Sequence, residues 1–339
     1  MVADQPRIPS HLELMRALDE ILHCHNLEHG KVVRLKSTPC DDWTSFNLVD
    51  LEIDLEDGTV LRLLLKDLGL KNLHETARQI KPGFLYNPLR EIKTYEEILA
   101  PNCFGTAHYY GAIVRSDEDR FWLFLEKMSG MRICAVNDFG AWLEAARWLA
   151  RLHARFMGEG NTLKRSVPLL QHDDAFYRLW LERAVMFHSI EITRSVRESL
   201  KCNYDLAIER LIELPATLIH GEFFASNILV EETQAGCRIR PVDWEMAAVG
   251  PGLIDLAALS SGAWAESERT EMAAAYHDSL VSEGTPGFPL DDLLLALDDC
   301  RLYLAIQWLG WAPDWSPPPE SAHDWLGEAI ALVGKMRAR

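Results

Sequence analysis

The hydrophobic period of this chain changes once, near Ser129–Gly130, and that change restricts the fold more than any other feature. Before it, short apolar blocks read as strands: "KVVRLK" (31–36), "FNLVDLEIDL" (46–55), "TVLRLLLKDL" (59–68), "YYGAIV" (109–114) and "RFWLFLEK" (120–127). The turn "EDG" joins the second block to the third as a hairpin, and "RSDED" separates the last two. Two helices accompany them. Residues 10–27 carry Leu12, Leu14, Met15, Leu18, Ile21 and Leu22 at helical spacing behind a Ser10 cap. "NPLREIKTYEEILAP" (87–101) aligns Leu89, Ile92, Tyr95, Ile98 and Leu99, with Pro101 expected just beyond its end. After Gly130 the period becomes helical, as in "DFGAWLEAARWLARLHARF" (138–156), except for a pair of short strands near residues 227–244. At 339 residues the chain exceeds one core of ordinary size. An α+β chain of two lobes is therefore predicted, an antiparallel-sheet lobe over 1–128 and a mostly helical one over 129–339. No internal repeat is present, and "SPPPESAHDW" (316–325) reads as a proline-rich connector.

Charge and cysteine usage narrow the function. Fifty-one acids against 34 bases leave a formal charge of −17, which argues against a broad basic face for nucleic acid or an anionic membrane. No apolar run approaches the ~18 residues of a membrane span, and the polar, proline-containing start is no signal peptide. The seven cysteines are scattered and never form a C-x-x-C pair, as free thiols in a reducing, cytoplasmic setting would be. "HCHN" (23–26) places its candidate ligands consecutively, the wrong spacing for zinc.

The chemistry concentrates in "LIHGEFFASNILV" (218–230) and "RIRPVDWEMAAVGPGLIDLA" (238–257). "NILVEE" and "RIRPVDW" are strand candidates joined by the polar link "TQAGC". If they pair, Asn227 and Asp243 lie side by side at the open end of the hairpin. An amide oxygen and a carboxylate there form a hard-oxygen clamp suited to Mg2+. Glu222, on the loop leading into the clamp, is placed to accept a proton from a hydroxyl that attacks a phosphate. Asn and Asp beside a hairpin also serve as plain turn residues; Glu245, a Gly-Pro-Gly turn and Asp255 downstream favour the chemical reading.

"HGEFFASNILV" followed by "VDWEMAAVGPGLIDLAAL" resembles the paired signature of the aminoglycoside phosphotransferase family, small-molecule kinases that include choline, homoserine and fructosamine kinase relatives. The resemblance implies a protein-kinase-like bilobal fold and an ATP- and Mg2+-dependent O-phosphotransferase, with GTP as a possible donor. Asn227 and Asp243 match the family's metal ligands, His220 and Asp255 its structural supports. Glu222 stands where the family usually has a catalytic Asp; its carboxylate reaches ~1.5 Å further, a displacement that can cost ~10²-fold in rate. Lys66, ending "VLRLLLK", matches the lysine held against the nucleotide phosphates. Glu91 fills the slot of its helix partner, with Glu75 and Glu96 as rivals. "FLEKM" (124–128) is the expected hinge, Glu126 and Met128 offering backbone atoms to adenine, and Leu229 packs under the base. The loop "STPCDDWTSFN" (37–47) departs from the pattern by lacking glycine, so that Ser37, Thr38, Thr44 or Ser45 must supply contacts beside Asp41–Asp42.

The acceptor is expected to be a hydroxylated small molecule, possibly cationic: an antibiotic such as an aminoglycoside, or an amino alcohol or sugar metabolite. "LDDCRLYLAIQWLGWAPDW" (297–315) combines Asp298 and Asp299 with Trp308, Trp311 and Trp315, a pairing of acids and aromatic faces that suits an amine. The same residues also read as a tryptophan-rich core helix with an acidic outer face. An alternative function is a catalytically weak kinase-like protein that binds nucleotide or ligand for regulation or sequestration. A monomer or homodimer is expected.

Overall fold

The computed structural model describes residues 9–24, 31–40, 45–188, 193–234, 236–285, 289–313 and 323–338. The chain divides into two compact units, one of Met1–Gln79 and Tyr86–Ser129, the other of Ile80–Leu85 and Gly130–Arg339.

In the first unit, α1 (His11–Cys24) is capped reciprocally: Ser10 Oγ accepts from Glu13 N–H (3.3 Å) while Glu13 Oε2 accepts from Ser10 N–H (3.0 Å). Five antiparallel strands follow: β1 (Val32–Pro39), β2 (Asn47–Leu55), β3 (Val60–Asp67), β4 (Tyr109–Arg115) and β5 (Arg120–Glu126), in the order β1-β2-β3-β5-β4. The β2–β3 turn needs Gly58, at φ +86°. One face of the sheet packs Leu51, Ile53, Leu63, Leu65, Trp122 and Phe124 against Leu14, Leu18 and Ile21 of α1. The amphipathic spacing of α1 thus has its partner in the alternation of the strands.

Between β3 and β4 run α2 (Glu75–Ile80), α3 (Pro88–Thr94) and α4 (Ala100–Asn102). Asn87 caps α3, its side chain accepting from Leu89 N–H. The helix does not stop before Pro101. A π turn over Tyr95–Leu99 joins α3 to α4, with Ala100 N–H bonded to Tyr95 C=O, and the run ends at Cys103, which is left-handed at φ +51°. The widened turn shifts the hydrogen-bond ladder just where proline withholds a donor, which lets one more turn form.

The second unit holds the helices α5 (Phe139–Phe156), α6 (Gly160–Ser166), α7 (Asp174–Phe187), α8 (Arg194–Glu213), α9 (Leu253–Leu259), α10 (Glu266–Ser282), α11 (Leu290–Leu309) and α12 (Trp325–Arg337). Asp138 caps α5 by accepting from Gly140 N–H at 2.8 Å. Two small sheets accompany these helices. One is β6 (Met131–Arg132), β9 (Ile228–Thr233) and β10 (Gly236–Pro241), ordered β10-β9-β6; the other is β7 (Leu170–Gln171), β8 (Ala216–Ile219) and β11 (Ala248–Pro251), ordered β7-β11-β8. The second sheet goes beyond the sequence expectation, since strands of two to four residues are too short to show a period. Among the described residues, no helix is long and apolar enough to cross a membrane, and Cys40, Cys103, Cys134, Cys202, Cys237 and Cys300 are free thiols.

Candidate active site

The β9–β10 hairpin pairs Ile228 with Pro241, and Val242 N–H continues the ladder by donating to Asn227 C=O at 2.9 Å. Asn227 and Asp243 therefore flank the open end of the ribbon, one leading in and the other leading out. Asn227 gives its Nδ2 to Glu222 C=O (3.0 Å), which keeps its Oδ1 as the acceptor end of the amide. Asp243 is left-handed at φ +68°, a rare conformation for a residue with a Cβ. A 3-10 turn, Trp244–Met246, follows it and leads to β11.

Glu222 sits three residues past the end of β8, on a loop held from below. Asp255, fully buried on α9, accepts from the backbone N–H of His220 (2.7 Å) and of Gly221 (2.9 Å). His153 of α5 adds its Nε2 at 3.3 Å from the same carboxylate, while its Nδ1 meets the Tyr276 hydroxyl at 2.9 Å. Gly221 is at φ +84°, and a Cβ there would come 2.2 Å from Met246 C=O. His220 spans both halves of the site: its Nε2 lies 3.0 Å from Val242 C=O, and its Nδ1 accepts from Glu222 N–H at 3.4 Å. Its ring lies 4.5 Å from that of Trp244. Trp148 of α5 stacks on Phe223 at 5.7 Å and 11°. Hydrogen bonds and ring contacts thus fix both the Glu222 loop and the Asp243 turn to one buried framework.

Within the first unit, Lys66 on β3 and Glu91 on α3 form an ion pair at 2.7 Å, both side chains nearly covered. Of the rivals, Glu96 pairs with Lys93 at 2.6 Å, and Glu75 opens α2. Glu126 ends β5; its N–H bonds to His108 C=O at 2.9 Å and the N–H of Lys127 to Arg62 C=O at 3.0 Å, so the sheet fixes the backbone that leads into the expected hinge, 126–128. Leu229 lies on the middle strand of its sheet, paired with Arg240 and Arg132. Ser37 and Thr38 are rungs of β1, opposite Leu51 and Asp50, rather than loop residues. Asp41, Asp42 and Thr44 lie outside the described residues, as does Trp315.

The acceptor expectation divides. Asp299 makes a bidentate pair with Arg210 of α8 (2.6 and 2.7 Å), and Asp298 pairs with Arg301 (3.3 Å) and Lys335 (2.9 Å). Both are buried, so these carboxylates brace α8, α11 and α12 and are not offered to a ligand. The acidic face expected of α11 is turned inward because cations of neighbouring helices neutralise it. Trp308 does approach the Glu222 loop, its ring 5.5 Å from that of Phe224, and Trp311 stacks on Trp180 at 5.8 Å. Sequence reasoning missed His153, Tyr276 and Phe224. A lone histidine within the apolar face of "RLHARF" was the one signal available for His153.

The phosphotransferase enzyme family matches over residues 109–288, just over half of the chain. The chain belongs to that family; it is an enzyme of the small-molecule kinase class with a protein-kinase-like fold. Among solved structures it is similar to the GDP complex of an aminoglycoside 2'-phosphotransferase, at 14% identity and a TM-score of 0.56, covering 96% of this chain and 98% of that one. It is similar to a macrolide 2'-phosphotransferase from Brachybacterium faecium at 17% identity and a TM-score of 0.56, covering 94% and 97%. An ethanolamine kinase of Plasmodium vivax aligns at 13% identity and a TM-score of 0.57, covering 94% and 86%. No curated protein matches in sequence.

Proposed function

We propose that this protein transfers the γ-phosphate of MgATP to a hydroxyl of a small molecule. The observation that carries the reading is the placement of Asn227 and Asp243 at one end of a hairpin, with Glu222 tied to Asn227 through its own carbonyl. The donor set fits Mg2+: an amide oxygen and a carboxylate are hard ligands, few in number, and leave room for water and phosphate oxygens. When bound, the ion would neutralise charge on the phosphates. Lys66, oriented by Glu91, would bind the α- and β-phosphates, while backbone atoms of Glu126 and Met128 and the side chain of Leu229 would hold adenine. Glu222 would take the acceptor's proton as the hydroxyl oxygen bonds to the γ-phosphorus and the bond to the β-phosphate oxygen breaks, releasing ADP. His220 and Asp255 act on the loop and not on the substrate.

A nucleotide-binding protein with little turnover is the competing reading, supported by Glu222 in place of Asp. Transfer of labelled γ-phosphate to a panel of hydroxylated amines, sugars and antibiotics separates the two, with Asp243→Asn expected to reduce transfer at least 100-fold. Binding of MgATP with no hydrolysis and no transfer would favour the binder. The GDP found with the aminoglycoside enzyme makes GTP a donor to run beside ATP.

A further inference from the structure

An aromatic run adjoins the Glu222 loop and has no part in the phosphoryl-transfer scheme. Phe224 lies 5.5 Å from Trp308, which stacks on Trp325 of α12 at 5.7 Å and 17°. Trp308 also lies 5.7 Å from Trp311, and Trp311 stacks on Trp180 at 5.8 Å and 2°. Burial falls along the run. Trp180 is wholly covered and Trp311 nearly so, whereas Trp325, Trp308 and Phe224 each keep part of their surface exposed. A core cluster would cover its last members; here the rings stay partly open at the end that meets the loop carrying Glu222, which Trp325 reaches only through Trp308.

Three of the nearest carboxylates on α11 and α12 are paired with cations, and Asp324, before Trp325, caps α12 by accepting from Gly327 N–H at 2.8 Å. Asp298 and Asp299 precede Trp308 by ten and nine positions on α11, about 14 Å along the axis at 1.5 Å per residue, and both are paired with cations. Glu328, one turn past Trp325, is held by Arg301 and His323. A polyamine laid on this surface would lose hydration from several ammonium groups and meet one carboxylate not paired with a cation, the α12 cap Asp324. A flat apolar group would instead cover ring surface that water now touches.

We propose that the acceptor is an uncharged alcohol with an apolar, ring-bearing face, seated on Phe224, Trp308 and Trp325, and not a polycationic aminoglycoside. This rests on the phosphotransferase reading above. The full chain is assayed with MgATP and four probes: 3-phenylpropan-1-ol, 2-(2-naphthyl)ethanol, choline and kanamycin. The aryl alcohols are expected to give a kcat/KM at least tenfold above choline and kanamycin. Trp308→Ala should raise KM for an aryl alcohol about tenfold with a smaller change in kcat, Trp308→Phe should restore most of the loss, and Trp325→Ala, on a different helix, should act in the same direction. Preference for choline or kanamycin, no transfer to either aryl alcohol, or an unmoved KM in both alanine variants overturns the proposal. Thermal shifts with MgATP and MgGTP and acceptor-free phosphate release are measured in parallel: if all are absent the phosphotransferase reading itself fails, whereas if they are present the failure belongs to the acceptor class alone.

Discussion

Lys81 and Glu245, 164 residues apart in the chain, form an ion pair at 2.5 Å with side chains only 6% and 10% exposed. Lys81 lies in Ile80–Leu85, a stretch that belongs to the second unit although the chain on both sides of it belongs to the first. Phe84 of the same stretch packs on Trp180 at 5.5 Å. Glu245 stands two residues past Asp243, so the pair anchors the turn that carries the proposed metal ligand. Removing one partner of a buried pair strands the other charge, at about 3–5 kcal/mol. Lys81→Met is expected to lower the thermal midpoint by roughly 10 °C, and Lys81→Met with Glu245→Gln to lower it less. Equal midpoints for Lys81→Met and the parent would show the pair to be dispensable.

Glu222 is expected to matter for turnover and not for nucleotide affinity. Glu222→Gln keeps the shape of the side chain and removes its basicity, and loss of a general base costs typically 10²–10⁴-fold. Initial rates and a MgATP thermal shift on the same sample check this. A variant with unchanged kcat would take Glu222 out of the mechanism.

Gly221 permits no side chain. Its φ of +84° already disfavours one, and an added Cβ would meet Met246 C=O at 2.2 Å. The backbone cannot withdraw, because Asp255 holds the Gly221 N–H at 2.9 Å. Gly221→Ala is expected to unfold the loop and abolish activity. Gly236→Ala, also at positive φ but with no atom within 4 Å of the added Cβ, should cost only about 1–2 kcal/mol. Comparable melting curves for the two variants would contradict this.

Asp255 meets three donors, two of them backbone N–H groups of the Glu222 loop. Asp255→Ala leaves those buried N–H groups unsatisfied, at about 1–3 kcal/mol each. Lower stability together with lower kcat is expected, read by denaturation and initial rates. A variant that keeps wild-type stability would show that the loop finds other acceptors.

Acid should destabilise the protein through His172. Burial pushes its pKa down to about 4 from the usual 6.5, and its ring stacks on Phe176 at 4.6 Å. The folded chain therefore keeps His172 neutral where the unfolded chain would protonate it. Its penalty is absent above pH ~6.5 and grows to roughly 3 kcal/mol as pH falls toward 4. His172→Phe should flatten that part of the stability–pH curve. An unchanged slope would place the acid sensitivity in other groups.

Much of the architecture was legible because its causes are local. The β2–β3 hairpin announces itself in "EDG", α1 in its spacing and Ser10 cap, and the β9–β10 ribbon in two apolar runs around a glycine-containing link. The adjacency of Asn227 and Asp243 follows from that ribbon's register. The helix over 87–101 was legible too, but not its passage through Pro101, since a π turn leaves no mark in side-chain spacing. The pairing of Asp298 and Asp299 with cations was not legible for a different reason: an acid looks the same in sequence whether it faces a ligand or a neighbouring arginine.

By itself, then, the sequence determined the strands of the first unit, the change to helix after Gly130 and the β9–β10 ribbon with its two short segments of candidate site residues, because periodicity and turn residues act over a few positions. The tertiary structure alone decided which charges are consumed internally, that Lys81 reaches Glu245, that His153 and Tyr276 stand behind Asp255, and that Trp308 and not Asp298 or Asp299 comes next to Phe224. Each of these depends on side chains from distant segments sharing a buried volume, where an unpaired charge or an unbonded N–H is costly and the partner that removes the cost can come from anywhere in the chain.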